Sequence, residues 1–327
     1  MLDVLNLIGC PDSDRAKVLW NNGNPQQLRV AFEGTNTFVA LTNPETMRIE
    51  TATLGGRHPG TTALPPAHVI LNSVCDPDTN AKALTQLQNI LQTCKTPVVN
   101  PPELILRTTR EQTCTRLEGI PGVTVPRTVR IAPRKLTEVP ELIAASELTY
   151  PYIFRSAGEH GGGGMVLVGS ASDLPKLERF AFDGRDFYAI AFHDFRDADR
   201  YYRKYRLVVI GGRCYPRHLI VSGSWNIHSQ TRAELMQSDT PFQEEEKAFL
   251  ARPPEALQAA CSAIYDTLPL DVFGIDCHLD PQGRMFIFEL NACMRIVADT
   301  PIDYQHPAME EIRTAFAALL KQKAAGR

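Results

Sequence analysis

The chain of 327 residues has no run of about 18 apolar residues, no basic excess and no paired-cysteine motif. The first absence argues against a transmembrane helix. The leading segment, MLDVLNLIGCPDSD, lacks a basic region and a sustained apolar stretch, so it reads as a first strand over residues 4–8 rather than a secretory signal. With 34 Lys+Arg against 37 Asp+Glu, the formal net charge of −3 exerts no long-range pull on polyanions, and nucleic acid is not an expected partner. The eight cysteines (Cys10, Cys75, Cys94, Cys114, Cys214, Cys261, Cys277, Cys293) are scattered without CxxC spacing. That excludes the common zinc and redox frameworks, and all eight are expected as free thiols in a reducing cytoplasm. Low-complexity tracts, lipidation signals and internal repeats are also absent.

What remains is an ordinary globular composition, 43% hydrophobic and 22% charged, long enough for two or three structural units with a real core. The first hundred residues alternate strand-like pieces (LRVAFEG, TFVALTN, HVILNSV, PVVN) with one amphipathic helix, whose Leu84, Leu87, Leu91 and Cys94 keep to one face. This order predicts a small α/β unit over residues 1–100. A helix is expected over residues 102–117, then the breaker-rich GIPGVTVPRT. Residues 125–168 read as strand, helix, strand, loop, strand. Further strands are expected at 187–192, 202–210 and 214–221. EEEKAFLARPP is polar and then broken by two prolines. A helix follows with Leu257, Cys261, Ile264 and Leu268 on its buried face, and a terminal helix carries Met309, Ile312, Phe316 and Leu319.

Two segments carry chemistry. In YPYIFRSAGEHGGGGMVLVGS an apolar strand ends at Arg155, passes through Gly158 and Gly161, Gly162, Gly163 and Gly164, and resumes as a strand. Walker and dinucleotide loops join a strand to a helix, so this is neither. Glycines between two strands instead make a mobile hairpin whose bare N–H groups can close over phosphates; taken alone the run is equally a flexible surface turn. In DVFGIDCHLDPQGRMFIFELNACMR the DPQG turn sets a hairpin. Pairing Asp280 with Gly283 places Cys277 opposite Phe286 and Asp276 opposite Ile287. One face then holds Phe273, Ile275, Cys277, Leu279, Phe286, Phe288 and Leu290 as core. The other holds Asp276, His278, Glu289 and Asn291, with Glu289 diagonal to Asp276. Two carboxylates and an amide oxygen suit Mg²⁺ held jointly with substrate phosphates. Glu289 stands inside the apolar run MFIFEL, where an unpaired carboxylate would be costly. Between these segments, RYYRKYRLVVIGG puts Lys204 and Arg206 on one strand face and Arg203 and Tyr205 on the other. Paired cations there can neutralise a polyphosphate.

Together these residues resemble the ATP-grasp superfamily, in particular the ribosomal-protein-S6-modification and glutathione-synthetase type of carboxylate–amine ligases. The resemblance runs from about residue 98 to 298. It implies an α/β (α+β) architecture: an ATP-grasp fold of two α+β subdomains, 101–188 with the glycine hairpin and 189–327 with the Mg²⁺ site, preceded by a pre-ATP-grasp domain over 1–100. It implies Mg²⁺ ligation by Asp276, Glu289 and Asn291, and phosphate contacts from Arg155, the glycines, Lys204 and Arg206. In AIAFHD it implies adenine contacts at Ile190, Ala191 and Phe192 and a ribose contact at Asp194. Arg206 and Arg295 are the implied catalytic cations, and His228 an implied part of the acceptor site. The chain departs from common members at Arg155 (often Lys), Ala191 (often Glu), Gly274 (Arg in some peptide-forming members) and Ala292-Cys293 (often Pro-Gly).

The implied reaction uses ATP and Mg²⁺ to activate a small-molecule or peptide carboxylate as an acyl phosphate, which an amine then captures. An ATP-grasp kinase acting on an alcohol and a non-catalytic nucleotide-binding protein are the alternatives. A second copy of the chain is the one macromolecular partner left open.

Overall fold

The structure, a computed structural model, describes residues 1–20, 28–56, 64–228, 232–236, 240–297 and 302–326. The N-terminal unit contains β1 (Leu2–Gly9), a small hairpin of β2 (Lys17–Trp20) and β3 (Leu28–Ala31), β4 (Met47–Leu54), β5 (Val69–Asn72), α1 (Ala81–Leu91) and β6 (Val98–Val99). Its main sheet is parallel, in the order β4-β1-β5-β6. One expectation is corrected here, and one strand was missed. TFVALTN is not a strand: Phe38–Leu41 forms a 3₁₀ turn, with the Asn36 side chain accepting the Phe38 N–H at 3.1 Å and Phe38 and Leu41 buried as anchors. The eight-residue edge strand β4 was not legible, because only Met47 and Leu54 at its ends are buried while Arg48, Glu50, Thr51 and Thr53 are exposed, which leaves little apolar pattern to read. On α1 the buried face is Ala83, Leu84, Leu87 and Ile90, rotated slightly from the expected stripe.

Next come α2 (Pro102–Ile105) and α3 (Arg110–Leu117), two short helices where one was expected, then β7 (Val123–Thr124). The middle sheet follows: β8 (Thr128–Ile131), α4 (Val139–Ala145), β9 (Tyr152–Ser156), β10 (Val166–Val168) and β11 (Phe187–Ala191), antiparallel in the order β10-β9-β11-β8. The last unit holds β12 (Tyr202–Ile210), β13 (Arg213–Ser222), α5 (Arg232–Leu235), α6 (Pro241–Ala251), α7 (Ala256–Thr267), β14 (Val272–Leu279), β15 (Met285–Asn291) and α8 (His306–Ala324). Its sheet runs β13-β12-β14-β15-β7, so β7 joins this sheet and not the middle one that directly follows it.

The cores divide unequally. The middle sheet closes over its own cluster, including Phe154, Phe187, Val168, Leu177 and Ile143. The N-terminal and C-terminal units share theirs: Leu5, Leu7, Ile70 and Leu87 pack in one cluster with Leu207, Cys261, Ile275 and Leu290. On the other side α8 seats Ile312, Phe316 and Leu320 against both Val69 and Val272.

A disulfide joins Cys75, just beyond β5, to Cys293, just beyond β15, with their Cα atoms 5.1 Å apart. The expectation of eight free thiols is therefore corrected, and with it the thiol argument for a reducing compartment. The partners are 218 residues apart, and no local spacing announces a pair that only the fold brings together. Cys10, Cys94, Cys114, Cys214, Cys261 and Cys277 are free. Among the described residues no helix is long and apolar enough to cross a membrane.

Candidate active site

A cavity of about 590 Å³ lies where the middle sheet, the C-terminal sheet and the loop at residues 34–37 of the N-terminal unit meet. The C-terminal sheet builds its charged floor. Alternation along β12 turns Lys204 and Arg206 into the cavity, while Arg203 on the opposite face pairs with Asp197, Asp199 and Glu245. On β14 and β15 the register differs from expectation. Cys277 lies opposite Ile287 and Asp276 lies directly opposite Glu289, because Phe288 is an extra residue in β15. Such a bulge re-aims side chains. It turns Phe286 and Phe288 into the cavity beside Phe195 instead of into the core, which Met285, Ile287 and Leu290 fill.

Asp276 is buried and Glu289 half-buried, with side chains 5% and 21% exposed, and both are held by cations. Arg206 grips Asp276 with two bonds of 2.7 and 2.8 Å, and the Lys204 ammonium stands 3.3 Å away. Burial alone would raise the Asp276 pKa; the charges of Arg206 and Lys204 outweigh it and hold the group below the usual carboxylate range. Glu289 accepts from the Arg110 guanidinium and from Asn291 Nδ2 at 2.6 Å, with His160 Nδ1 3.7 Å away. Burial opposes ionisation here too, but Arg110 and His160 hold Glu289 far below its ordinary value. The Asn291 side-chain oxygen accepts the Cys293 N–H at 2.9 Å.

The middle sheet supplies the roof. Arg155, at the end of β9, is 4% exposed, and its guanidinium donates to the Glu159 carbonyl. Burial and the neighbouring Arg110 push its pKa down to about 10. Of the glycine run, Gly161 and Gly162 line the cavity. Gly163 turns away, its carbonyl accepting from Arg179 at 3.3 Å, and Gly164 lies against the Glu159 carboxylate. Ile190, Ala191 and Phe192 line the wall, although the Ala191 and Phe192 N–H groups are already bonded to the Arg127 and Pro151 carbonyls. Asp194 lies outside, exposed and clasped by Arg196.

At the other end, the cavity is walled by residues 34–37, His218, Trp225, Ile227, His228, Met294 and Arg295. The Arg295 carbonyl accepts from Arg206 at 3.1 Å. Burial and the neighbouring Arg206, Arg217 and Lys204 keep the His218 imidazole neutral, far below its ordinary pKa. Its Nε2, and Asn36 Nδ2, are buried with no hydrogen-bond partner among the described residues. Met294 packs on Gly274, where any Cβ would stand 2.2 Å from the Met294 sulfur, so the chain has no room for a side chain at that position.

Sequence reasoning missed Arg110, His160 and the loop at 34–37. Arg110 opens α3, where the positive end of the helix dipole disfavours a cation; that misfit was the available signal. His160 was visible as a titratable side chain within the glycine run, and its pKa is pushed up to about 9 by Asp76 and Glu289 in spite of burial.

As a donor set, two ionised carboxylates on neighbouring strands with an adjacent amide fit a hard divalent cation. Among the described residues no three His, Cys, Asp or Glu side chains stand together to hold a metal, so a cation here would take further oxygens from a substrate.

No protein-family model matches the chain, and no curated protein matches its sequence. Solved structures do match its fold along nearly the whole length. The VanG D-Ala:D-Ser ligase from Enterococcus faecalis is 12% identical with a TM-score of 0.58, over 98% of this chain and 99% of that one. A RimK domain protein, ATP-grasp, from Sphaerobacter thermophilus DSM 20745 is 14% identical with a TM-score of 0.56, over 97% and 99%. The D-alanine–D-alanine ligase from Bacillus anthracis complexed with ATP is 11% identical with a TM-score of 0.55, over 99% and 98%. The chain therefore shares the mixed α/β fold of these solved structures. At this identity the likeness speaks for architecture alone, and the chemistry rests on the side chains in the cavity.

Proposed function

We propose that the protein is an ATP-dependent ligase that activates a substrate carboxylate as an acyl phosphate and joins it to an amine, releasing ADP and phosphate. The observation that carries this is the carboxylate pair Asp276 and Glu289, side by side at the cavity floor under a glycine hairpin and ringed by Lys204, Arg206, Arg110 and Arg155. A floor of ionised carboxylates with cations beside them is what a magnesium–polyphosphate complex needs. Asp276, Glu289 and Asn291 would hold Mg²⁺, which when bound neutralises and orients the phosphates. The cations now engaged with the two carboxylates would meet phosphate oxygens instead. Ile190, Ala191 and Phe192, with Phe286 and Phe288, offer an apolar slot for the adenine. The Bacillus anthracis ligase of like fold is a complex with ATP, which supports nucleotide as the occupant.

Both nucleophiles belong to the substrates, so the protein needs no nucleophilic side chain. Its residues position the reacting groups and stabilise the charge that develops. Lys204 and Arg206 lie between the phosphate floor and the far end of the cavity, where Arg295 can hold the carboxylate. The unpartnered Asn36 Nδ2 and His218 Nε2 are polar atoms that a second substrate can satisfy. An ATP-turnover screen against pooled carboxylates and amines, with mass detection of products, tests this. Amine-dependent phosphate release with an amide product is expected. Phosphate retained on a product would show a kinase instead, and nucleotide binding without turnover would show a non-catalytic protein.

A further inference from the structure

The loop at residues 75–79 of the N-terminal unit is tied to both of the other units. Cys75 is bonded to Cys293, two residues beyond Asn291. Asp76 accepts from His160 in the glycine hairpin, at 2.8 Å. Asp78 accepts from Arg130 at 2.6 Å and from the Tyr188 hydroxyl at 2.6 Å, both on the middle sheet. Three consecutive kinds of tether thus leave one short loop for the carboxylate strand, the hairpin and the sheet that carries the hairpin.

The His160–Asp76 contact is built from a fixed acceptor and a reachable donor. The Asp76 side chain is 5% exposed and oriented by the Asp78 N–H at 2.8 Å, whereas the His160 side chain is 42% exposed. Gly158 makes the approach feasible: its φ is +74°, and a Cβ there would stand 2.5 Å from the Thr79 methyl. On the far flank Asn226 of the C-terminal unit donates to the Gly162 carbonyl at 2.9 Å. The hairpin is consequently pinned on both sides over the cavity.

We propose that His160 is a positioning residue that latches the glycine hairpin to the N-terminal unit through Asp76, and so sets how long a nucleotide stays in the cavity. Nothing in the phosphate chemistry requires a hairpin side chain to reach a carboxylate outside the ATP-binding subdomains. The contact makes the N-terminal unit part of the closed lid. Because nucleotide residence is the quantity at issue, this rests on the function proposed above, and two measurements separate the two.

The first is hydrogen exchange on the ligand-free full chain. His160→Ala is expected to speed exchange of the amides at residues 158–164 at least about tenfold, through loss of its bond to Asp76 and its longer contact with Glu289, with the melting temperature lowered by no more than about 3 °C. Unchanged exchange there overturns the latch, whatever the nucleotide does. The second is stopped-flow release of methylanthraniloyl-ADP with Mg²⁺, chased with ATP. His160→Ala and Asp76→Asn are each expected to speed release about tenfold, and the double variant to be no faster than either single one. Wild-type release rates, or additive effects in the double variant, overturn the link between latch and residence. Failure of the wild-type protein to bind the probe overturns the nucleotide reading itself, and exchange alone then decides the latch.

Discussion

The middle sheet and the C-terminal sheet face each other across the cavity, and they are stabilised in opposite ways. The middle sheet buries an aromatic cluster of its own, with Phe154 and Phe187 stacked at 4.9 Å and Phe180 edge-on to both. The C-terminal sheet has no separate core; its apolar face is continuous with β1, β5 and α1 of the N-terminal unit. One side is therefore a self-contained body joined to the rest by polar tethers, and the other is a single rigid base. The charges divide along the same line. Asp276, Glu289, Lys204 and Arg206 stand on the base, where geometry is over-determined by packing, whereas the glycines and Arg155 come from the separate body. One wall of each kind is what the proposed function calls for, since a site that fixes a polyphosphate has also to admit and release it.

The largest expected effects fall on the base. Asp276→Ala and Glu289→Ala should each lower Mg-ATP turnover by two to three orders of magnitude, with circular dichroism unchanged. Near-normal turnover in either variant would break the assignment of that carboxylate.

A stability probe addresses the separate body. Phe154→Ala removes the centre of the aromatic cluster and should cost about 3 kcal/mol. If the middle sheet is self-contained, the loss appears as faster exchange over residues 128–191 while β12 to β15 keep their protection. A uniform loss across all three sheets would show that the bodies unfold as one.

Opposite faces of one strand sharpen the comparison further. Lys204→Met leaves Asp276 paired with Arg206, so the base should hold while affinity for Mg-ATP falls about tenfold. Arg203→Met, one residue away, breaks pairs with Asp197, Asp199 and Glu245 on the outer face and should leave ATP affinity within about twofold. Equal effects from both variants, measured by calorimetric titration, would contradict the division of faces.

Sequence reasoning reached the base more easily than its connections. The alternation on β12 and the DPQG hairpin are local signals, and they located Lys204, Arg206, Asp276 and Glu289. The bulge at Phe288 was invisible, because it shifts register without altering composition, and so Phe286 and Phe288 were assigned to the core. Cys75 with Cys293, and Asp76 with His160, were beyond reach for another reason: each pair is joined only when two units distant in the chain assemble. The expected strand TFVALTN failed because Asn36 offers the backbone a local side-chain acceptor that stops extension. On the separate body, the glycine run pointed to the hairpin but did not show that Gly163 and Gly164 turn away from the cavity.

The smallest expected effect concerns Asp194, the ribose contact implied by family resemblance. Extended chain after β11 sends His193 and Phe195 into the cavity and Asp194 outward. There Arg196 clasps it, with Nε 2.9 Å from each carboxylate oxygen. An exposed pair of this kind contributes little, and a side chain pointing away from the cavity cannot recognise a sugar bound inside it. Asp194→Ala should therefore change the KM for ATP by less than about twofold. A tenfold rise would mean that the segment after β11 reorganises when nucleotide binds, and the wall between the two sheets would then belong with the moving body instead of the base.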